Sequence, residues 1–249
     1  MLRKTALALA VAALAAGAHA TDPEPSTATT ATAEAAPVAG AISGMVKFKG
    51  TAPEAPKAEL DSDPVCAGAH PDGFRLQTVR TTAGGALQDV FAWIDNPPDE
   101  RHKAPKEPVV LDQVGCSYTP HIFGIIKKQD IKILNSDATL HNIHAVPERN
   151  KEFNVGMPEG IGPVTKTFKK DEMAIKIKCD VHPWMVSYCF SMEHPYFGVS
   201  GADGKLAINT DGLPDGKYTV KLWHETLGER STEVTVAEGA ATFEHEFEL

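Results

Sequence analysis

The sequence predicts an all-β protein on three observations. Apolar and polar residues alternate over short runs, turn-forming residues recur between the runs, and long helical stripes are missing. Ser43 to Gly50 alternates between glycines and reads as a first strand, and Leu87 to Ile94 is an apolar run closed by Asp95-Asn96-Pro97-Pro98. His121 to Leu134 reads as two strands broken at Lys127 to Asp130. Phe168 to Lys178 alternates at Met173, Ile175 and Ile177, and Val186 to Met192 at Val186, Tyr188, Phe190 and Met192. This rhythm favours an antiparallel sandwich or barrel; only Ala58 to Val65 and Val164 to Asp171 have room for a short helix. Beyond His194-Pro195, Asp203-Gly204, Asp211-Gly212 and Asp215-Gly216 punctuate strands at 205–209 and 218–223, with a last strand near 232–236; Asp-Gly pairs are strong hairpin signals. The expected organisation is therefore a larger β domain over 43–194 and a smaller β-sandwich over 195–249.

Ahead of these domains, residues 1–20 have the form of a secretory signal: Arg3 and Lys4, an apolar run from Ala6 to Ala16, and a small-x-small site at Ala18-His19-Ala20. Residues 21–42 are rich in Ala, Thr, Pro and Glu without periodicity, the composition of a flexible linker. A periplasmic chain with no membrane-spanning segment after the signal is expected. The 24 basic and 33 acidic residues give a formal charge of −9; without residues 1–20 the balance is 22 against 33, or −11. That excess argues against nucleic-acid binding and suits a basic protein partner.

The chemistry concentrates in Cys179-Asp-Val-His182-Pro-Trp-Met185, with Leu140-His141-Asn142-Ile143-His144 upstream. A thiolate, two imidazoles and a thioether form a soft N/S donor set, and trigonal Cys/His/His ligation with a weak axial Met is the blue-copper arrangement. Two residues between Cys179 and His182, and two more before Met185, let one tight loop present three donors to one ion. Pro183 stiffens that loop. The fourth donor comes from elsewhere, and His141 is placed for it. Zinc is the chemical rival, although structural zinc sites prefer more thiolate or imidazole and no thioether. His144 lies three residues from His141, so on an extended strand the two rings face opposite sides and only one reaches the ion.

These residues carry a resemblance. Cys179 to Met185 and His141-Asn142 resemble the cupredoxins, and the short His-Pro-aromatic-Met loop is most similar to amicyanin, a relative of plastocyanin. Gly115 to His121 and Asn135-Ser136-Asp137 are similar to cupredoxin-like proteins of the methylamine-utilisation kind, and Tyr196 to Glu225 resembles a transthyretin-like or carboxypeptidase-regulatory-like module. The resemblance implies a Greek-key cupredoxin-like sandwich followed by a smaller transthyretin-like sandwich. It implies one mononuclear type 1 copper with ligands His141, Cys179, His182 and Met185, and a non-enzymatic carrier of single electrons between periplasmic redox proteins. It favours His141 over His144, because the ligand precedes Asn. The backbone N–H of Asn142 is expected to steady the Cys179 sulfur, and Pro183 and Trp184 to support the site. Trp184 fits equally as a wall against water, as part of a docking patch around an exposed edge of His182, or as a core aromatic. A longer segment between Gly50 and Ile94 and the added second module depart from simple carriers. They leave copper binding or delivery, or a non-catalytic interaction module, as alternatives.

Of the remaining cysteines, Cys66 and Cys116 are the expected disulfide pair in an exported chain. Such a bridge closes a loop of about 50 residues, worth about 4 kcal/mol in the chain-entropy picture. Cys189 is expected to be a small core residue, with pairing to Cys66 or Cys116 as the alternative. His121 is expected to be structural, and His70, His102, His194, His224 and His245 to be surface or hydrogen-bonded. Hydrolase motifs fail: His224-Glu225 lacks the second His of H-E-x-x-H, and Gly198-Val-Ser200-Gly201 is not a nucleophile elbow.

Overall fold

A computed structural model describes residues 39–98 and 101–249. The expected signal at 1–20, and all but the last four residues of the expected linker at 21–42, lie outside them; of those four, Ala41 and Ile42 already belong to the first strand.

The described chain is almost wholly β. Its elements in order are β1 (Ala41–Phe48), α1 (Pro64–Ala69), β2 (Phe91–Ile94), β3 (Val109–Gln113), β4 (Tyr118–Thr119), β5 (Ile122–Ile126), β6 (Asp130–Asn135), β7 (His141–Val146) and β8 (Phe153–Met157). They continue with β9 (Val164–Thr167), β10 (Glu172–Lys178), β11 (Val186–Met192), β12 (Phe197–Val199), β13 (Lys205–Asn209), β14 (Gly216–His224), β15 (Gly228–Val236) and β16 (Ala241–Phe247). Alternation translates into burial where one face meets a core: every second side chain of β1 is buried, as are Leu206 and Ile208 of β13. Of the two segments with room for a helix, 164–171 instead holds β9, and the helix near the other begins at Pro64. Asp63 caps it, taking the N–H groups of Val65 and Cys66, and Pro64 loses nothing at the first helical position.

Four sheets form in the orders β13-β1-β16, β12-β2-β14-β15, β5-β11-β10-β7-β8 and β4-β3-β6-β9. The pairs β1–β16, β5–β11 and β3–β6 are parallel, which the expectation of an antiparallel fold did not anticipate. Parallel neighbours need a long crossover, and here the crossovers run from one sheet to another.

The sheets do not divide the chain at residue 194. β1 pairs with β13 and β16, and β2 pairs with β12 and β14, so two strands from before that point are completed by strands from after it. Ile42, Val46, Leu87 and Ile94 share one buried cluster with Ile208, Val220, Leu222 and Phe247. Strands β3 to β11 have a separate core that includes Leu111, Ile133, Ile143, Phe168 and Ile177. One sandwich is thus inserted into the chain of the other instead of preceding it. β1 has a hydrogen-bonded neighbour on each edge, and both come from the far end of the chain.

The Asp-Gly turns show the same reassignment. Gly204 and Gly212 adopt the left-handed φ of such turns, +75° and +80°, but the strands they join lie in different sheets, so they make corners instead of hairpins. A third buried cluster joins the sandwiches: Phe91 and Phe190 stack with centroids 3.8 Å apart, beside Trp93, Ile122 and Met192. Gly124 on β5 makes this approach possible, because a Cβ there would lie 2.5 Å from the Phe197 ring and 2.8 Å from that of Phe91.

Candidate metal centre

Three of the four expected donors, His141, Cys179 and His182, converge at one end of the inserted sandwich. His141 is the first residue of β7, a neighbour of the central strand β10, and Cys179 follows the last residue of β10. Residues 179–185 close the β10–β11 hairpin: the Met185 N–H donates to the His182 carbonyl at 3.0 Å, and the Cys179 N–H to the Met185 carbonyl at 3.2 Å. That tight turn returns His182 towards Cys179. The ligand atoms of His141, Cys179 and His182 lie within 4.8 Å of one another, and the Met185 side chain is buried in the same cluster as Cys179. Exposure is 0% for His141, 2% for Cys179, 1% for His182 and 1% for Met185, so the centre is shut off from water.

The two imidazoles meet edge to edge, Nδ1 to Nδ1 at 2.8 Å. Their far edges meet carboxylates: His141 Nε2 is 2.9 Å from Asp137 Oδ2, and His182 Nε2 is 3.0 Å from Asp63 Oδ2. An ionised carboxylate only accepts, so each Nε2 carries the proton and each Nδ1 presents a lone pair. Two lone pairs at that separation repel unless a proton or a metal ion lies between them. Burial first, and then the neighbouring His141, push the His182 pKa down, opposing the proton. A metal ion with nitrogen bonds of about 2.0 Å and a sulfur bond of about 2.3 Å needs donors roughly 3–4 Å apart. The 3.9 Å between Cys179 Sγ and His182 Nδ1 fits, and the Nδ1 pair must open by a few tenths of an ångström. The donor set therefore suits a soft or borderline ion, and the residues present fit copper.

The sulfur is oriented by backbone: the N–H groups of Asn142 and His182 point at Cys179 Sγ from 3.5 and 3.3 Å. The Asn142 side chain fastens the loop, its Oδ1 accepting from the N–H of Asp180 at 2.6 Å and of Val181 at 3.3 Å. Pro183 sits exposed at the loop's tip. Trp184 is half-buried, its ring 4.9 Å from that of His182 and its Nε1 donating to the Cys116 carbonyl at 3.1 Å. With His182 buried, the ring flanks the centre but does not border an exposed histidine edge. That leaves no exposed edge for the docking patch considered for Trp184.

His144 points elsewhere, to Asp180 at 2.9 Å and Glu152 at 2.8 Å. His121 links the Val186 carbonyl to Glu225. Cys66 and Cys116 form a disulfide with Cα atoms 5.6 Å apart, while Cys179 and Cys189 are free thiols. Burial, and secondarily Glu172, push the Cys189 thiol well up, so it stays a neutral core group. Two further groupings, Asp63/Cys66/His182 and Cys116/Asp137/His141, have ligand-like separations, but their cysteines are bonded to each other and offer no thiolate.

Sequence reasoning missed Asp63 and Asp137 as partners of the ligands. Asp137 lies four residues before His141, a spacing that offered a local signal. Asp63 before Pro64 carries only the signature of a helix cap, and nothing local connects it to His182, 119 residues away. Burial raises the Asp63 pKa, but hydrogen bonds from Thr139, Cys66, Val65 and His182 outweigh it and hold the carboxyl at about 2.

No protein-family model matches this chain, and no curated protein does. Solved structures similar to it include a copper-containing nitrite reductase from Thermus scotoductus SA-01, at 21% identity and TM-score 0.33, covering 40% of this chain and 26% of that one. The chain thus spans about a quarter of the length of that enzyme. A purple cupredoxin from Nitrosopumilus maritimus is 20% identical with TM-score 0.29, covering 34% of this chain and 99% of its own. A copper(I) form of an amicyanin variant is 17% identical with TM-score 0.30, covering 41% and 98%. All three likenesses are weak and cover less than half of this all-β chain.

Proposed function

We propose that this chain is an exported, periplasmic copper protein that holds one mononuclear type 1 centre and carries single electrons between redox partners, without catalysing a reaction of its own. The observation that supports this reading is the buried convergence of His141 Nδ1, His182 Nδ1 and Cys179 Sγ, with Met185 in the same core. Copper bound there would supply a one-electron couple. The chain's part is to keep the donors still. The 179–185 turn is closed by two backbone hydrogen bonds, the sulfur receives two N–H groups, and both imidazoles are held at their far edges. A donor set fixed before and after electron transfer keeps the reorganisation cost low. Near-zero exposure favours a resident ion over a transferable one, because a site that delivers copper must let its partner reach the ligands. Among the described residues no helix is long and apolar enough to cross a membrane.

The test is to load the purified chain with Cu(II) and record absorption and electron paramagnetic resonance spectra. An intense visible thiolate-to-Cu(II) band that disappears in Cys179→Ser is the expected result. Stoichiometric copper without that band, or a preference for zinc with no copper spectrum, overturns the reading.

A further inference from the structure

The facing edges of His141 and His182 belong to the copper centre proposed above; their opposite edges reveal a second construction. Asp63 comes from the segment between β1 and β2, outside the inserted sandwich, and Asp137 from the turn between β6 and β7. Each carboxylate does two jobs. Asp63 Oδ1 takes the N–H groups of Val65 at 2.8 Å and Cys66 at 3.2 Å, while Oδ2 takes the Thr139 hydroxyl at 2.7 Å and faces His182 Nε2 at 3.0 Å. Asp137 takes the N–H groups of Gly115 and Cys116, both at 2.7 Å, and faces His141 Nε2 at 2.9 Å. The cysteines whose N–H groups they hold are the two halves of one disulfide. A closed ring results: His182, Asp63, Cys66, Cys116, Asp137, His141, and back through the Nδ1 pair. The disulfide itself lies against the site, with Cys66 Sγ 4.0 Å from His182 Nε2.

We infer that Asp63 and Asp137 are a matched pair of positioning carboxylates, one for each imidazole, and that the Cys66–Cys116 disulfide sets the separation between them. The inference rests on the copper reading and deepens it: the long segment after β1 becomes part of the metal centre. An acceptor on Nε2 fixes the tautomer that turns Nδ1 inward, orients the ring and raises its basicity as a ligand. The plainer account, a helix cap and a loop brace, explains the bonds to backbone. It does not explain why the remaining capacity of both carboxylates is spent on the two histidines of one donor set.

Asparagine separates the two accounts, because it caps helices as well as aspartate does. Asp63→Asn keeps an acceptor for Val65 and Cys66 but sets an amide donor against His182 Nε2. The probe is Cu(II) itself, titrated into the full chain against a competing chelator, with voltammetry on the loaded protein. Asp63→Asn and Asp137→Asn should each weaken Cu(II) binding 10–100-fold with the far-ultraviolet circular dichroism unchanged. Where Cu(I) binding is spared, the potential should rise by about 59 mV per tenfold loss. Cys66→Ala/Cys116→Ala, which keeps both carboxylates, should broaden the Cu(II) resonance lines. Wild-type affinity and potential in both Asn variants, in a protein whose parent shows the charge-transfer band, overturn the inference and leave the copper reading intact. The metal-free protein gives an independent reading, since imidazole ¹⁵N shifts report which nitrogen carries the proton. Protons on both Nε2 atoms, with that of His182 moving to Nδ1 in Asp63→Asn, support the clamps even if copper does not bind. Nδ1–H at both rings in the parent overturns them.

Discussion

Deleting residues 195–249 tests the nested architecture directly. If the domains followed one another along the chain, residues 39–194 would keep all their structure. In the fold described above the deletion removes both neighbours of β1, namely β13 and β16, and both neighbours of β2, namely β12 and β14. Ile42, Val46, Phe48, Leu87, Val90 and Ile94 lose the apolar face that buries them. At about 1.5–3 kcal/mol for each fully buried side chain, the loss is on the order of 10 kcal/mol, as large as the whole stability of a typical domain. β1 and β2 should therefore unfold, while β3 to β11 retain their own core and the Cys66–Cys116 disulfide keeps α1 against it. Hydrogen exchange read by mass spectrometry on the truncated chain should show unprotected amides over Ala41–Phe48 and Phe91–Ile94. Protection should persist over Ile131–Ile133 and Ile175–Lys178. Protected β1 amides in that fragment would refute the reasoning.

Further outcomes are expected. His144→Ala should leave the absorption and paramagnetic spectra of the copper-loaded protein unchanged, because its ring is engaged by Asp180 and Glu152, whereas His141→Ala should abolish the thiolate-to-Cu(II) band. Cys66→Ala/Cys116→Ala should lower stability by about 4 kcal/mol, measured by urea unfolding of the metal-free chain, since the bridge spans 50 residues. Stability should also fall on acidification. Burial, aided by His121 and Arg80, holds the His224 imidazole down to about 4 from an ordinary 6.5. Between those values the unfolded chain binds the proton and the folded chain does not. The stabilisation is complete above pH 6.5 and is lost as pH falls towards 4, by about 3 kcal/mol for this group. His224→Gln should flatten that limb of a plot of urea midpoint against pH, and an unchanged slope would show that another group carries it.

Much of the β character was legible from local pattern. Alternation located the strands expected at 43–50 and 186–192, and Asp-Gly turns the one at 205–209; β1 and β13 repeat every two residues because one face of each meets a core, whereas β11 is buried on both faces towards its end. Where conformation depended on something other than period, the reading drifted. The strand expected from Leu87 begins only at Phe91, after Asp89 takes a positive φ and pairs with Arg80, and one more strand, β16, follows Val236.

The sequence by itself determined that the chain is built of strands, and it supplied a Cys/His/Met loop with an upstream His whose spacing singles out one soft donor set. The strand pattern and the 179–185 loop are short-range properties, set within a few residues, whereas His141 lies 41 positions before His182 and is carried to the loop by the pairing of β7 with β10. Pairing was decided only in the tertiary structure. β1 finds β16 across nearly two hundred residues, and Asp63 finds His182 across 119. No local pattern encodes such partners, because any strand of suitable length satisfies the same hydrogen bonds, and any carboxylate the same imidazole. What selects among them is the burial of a shared core, which exists only once the whole chain has folded.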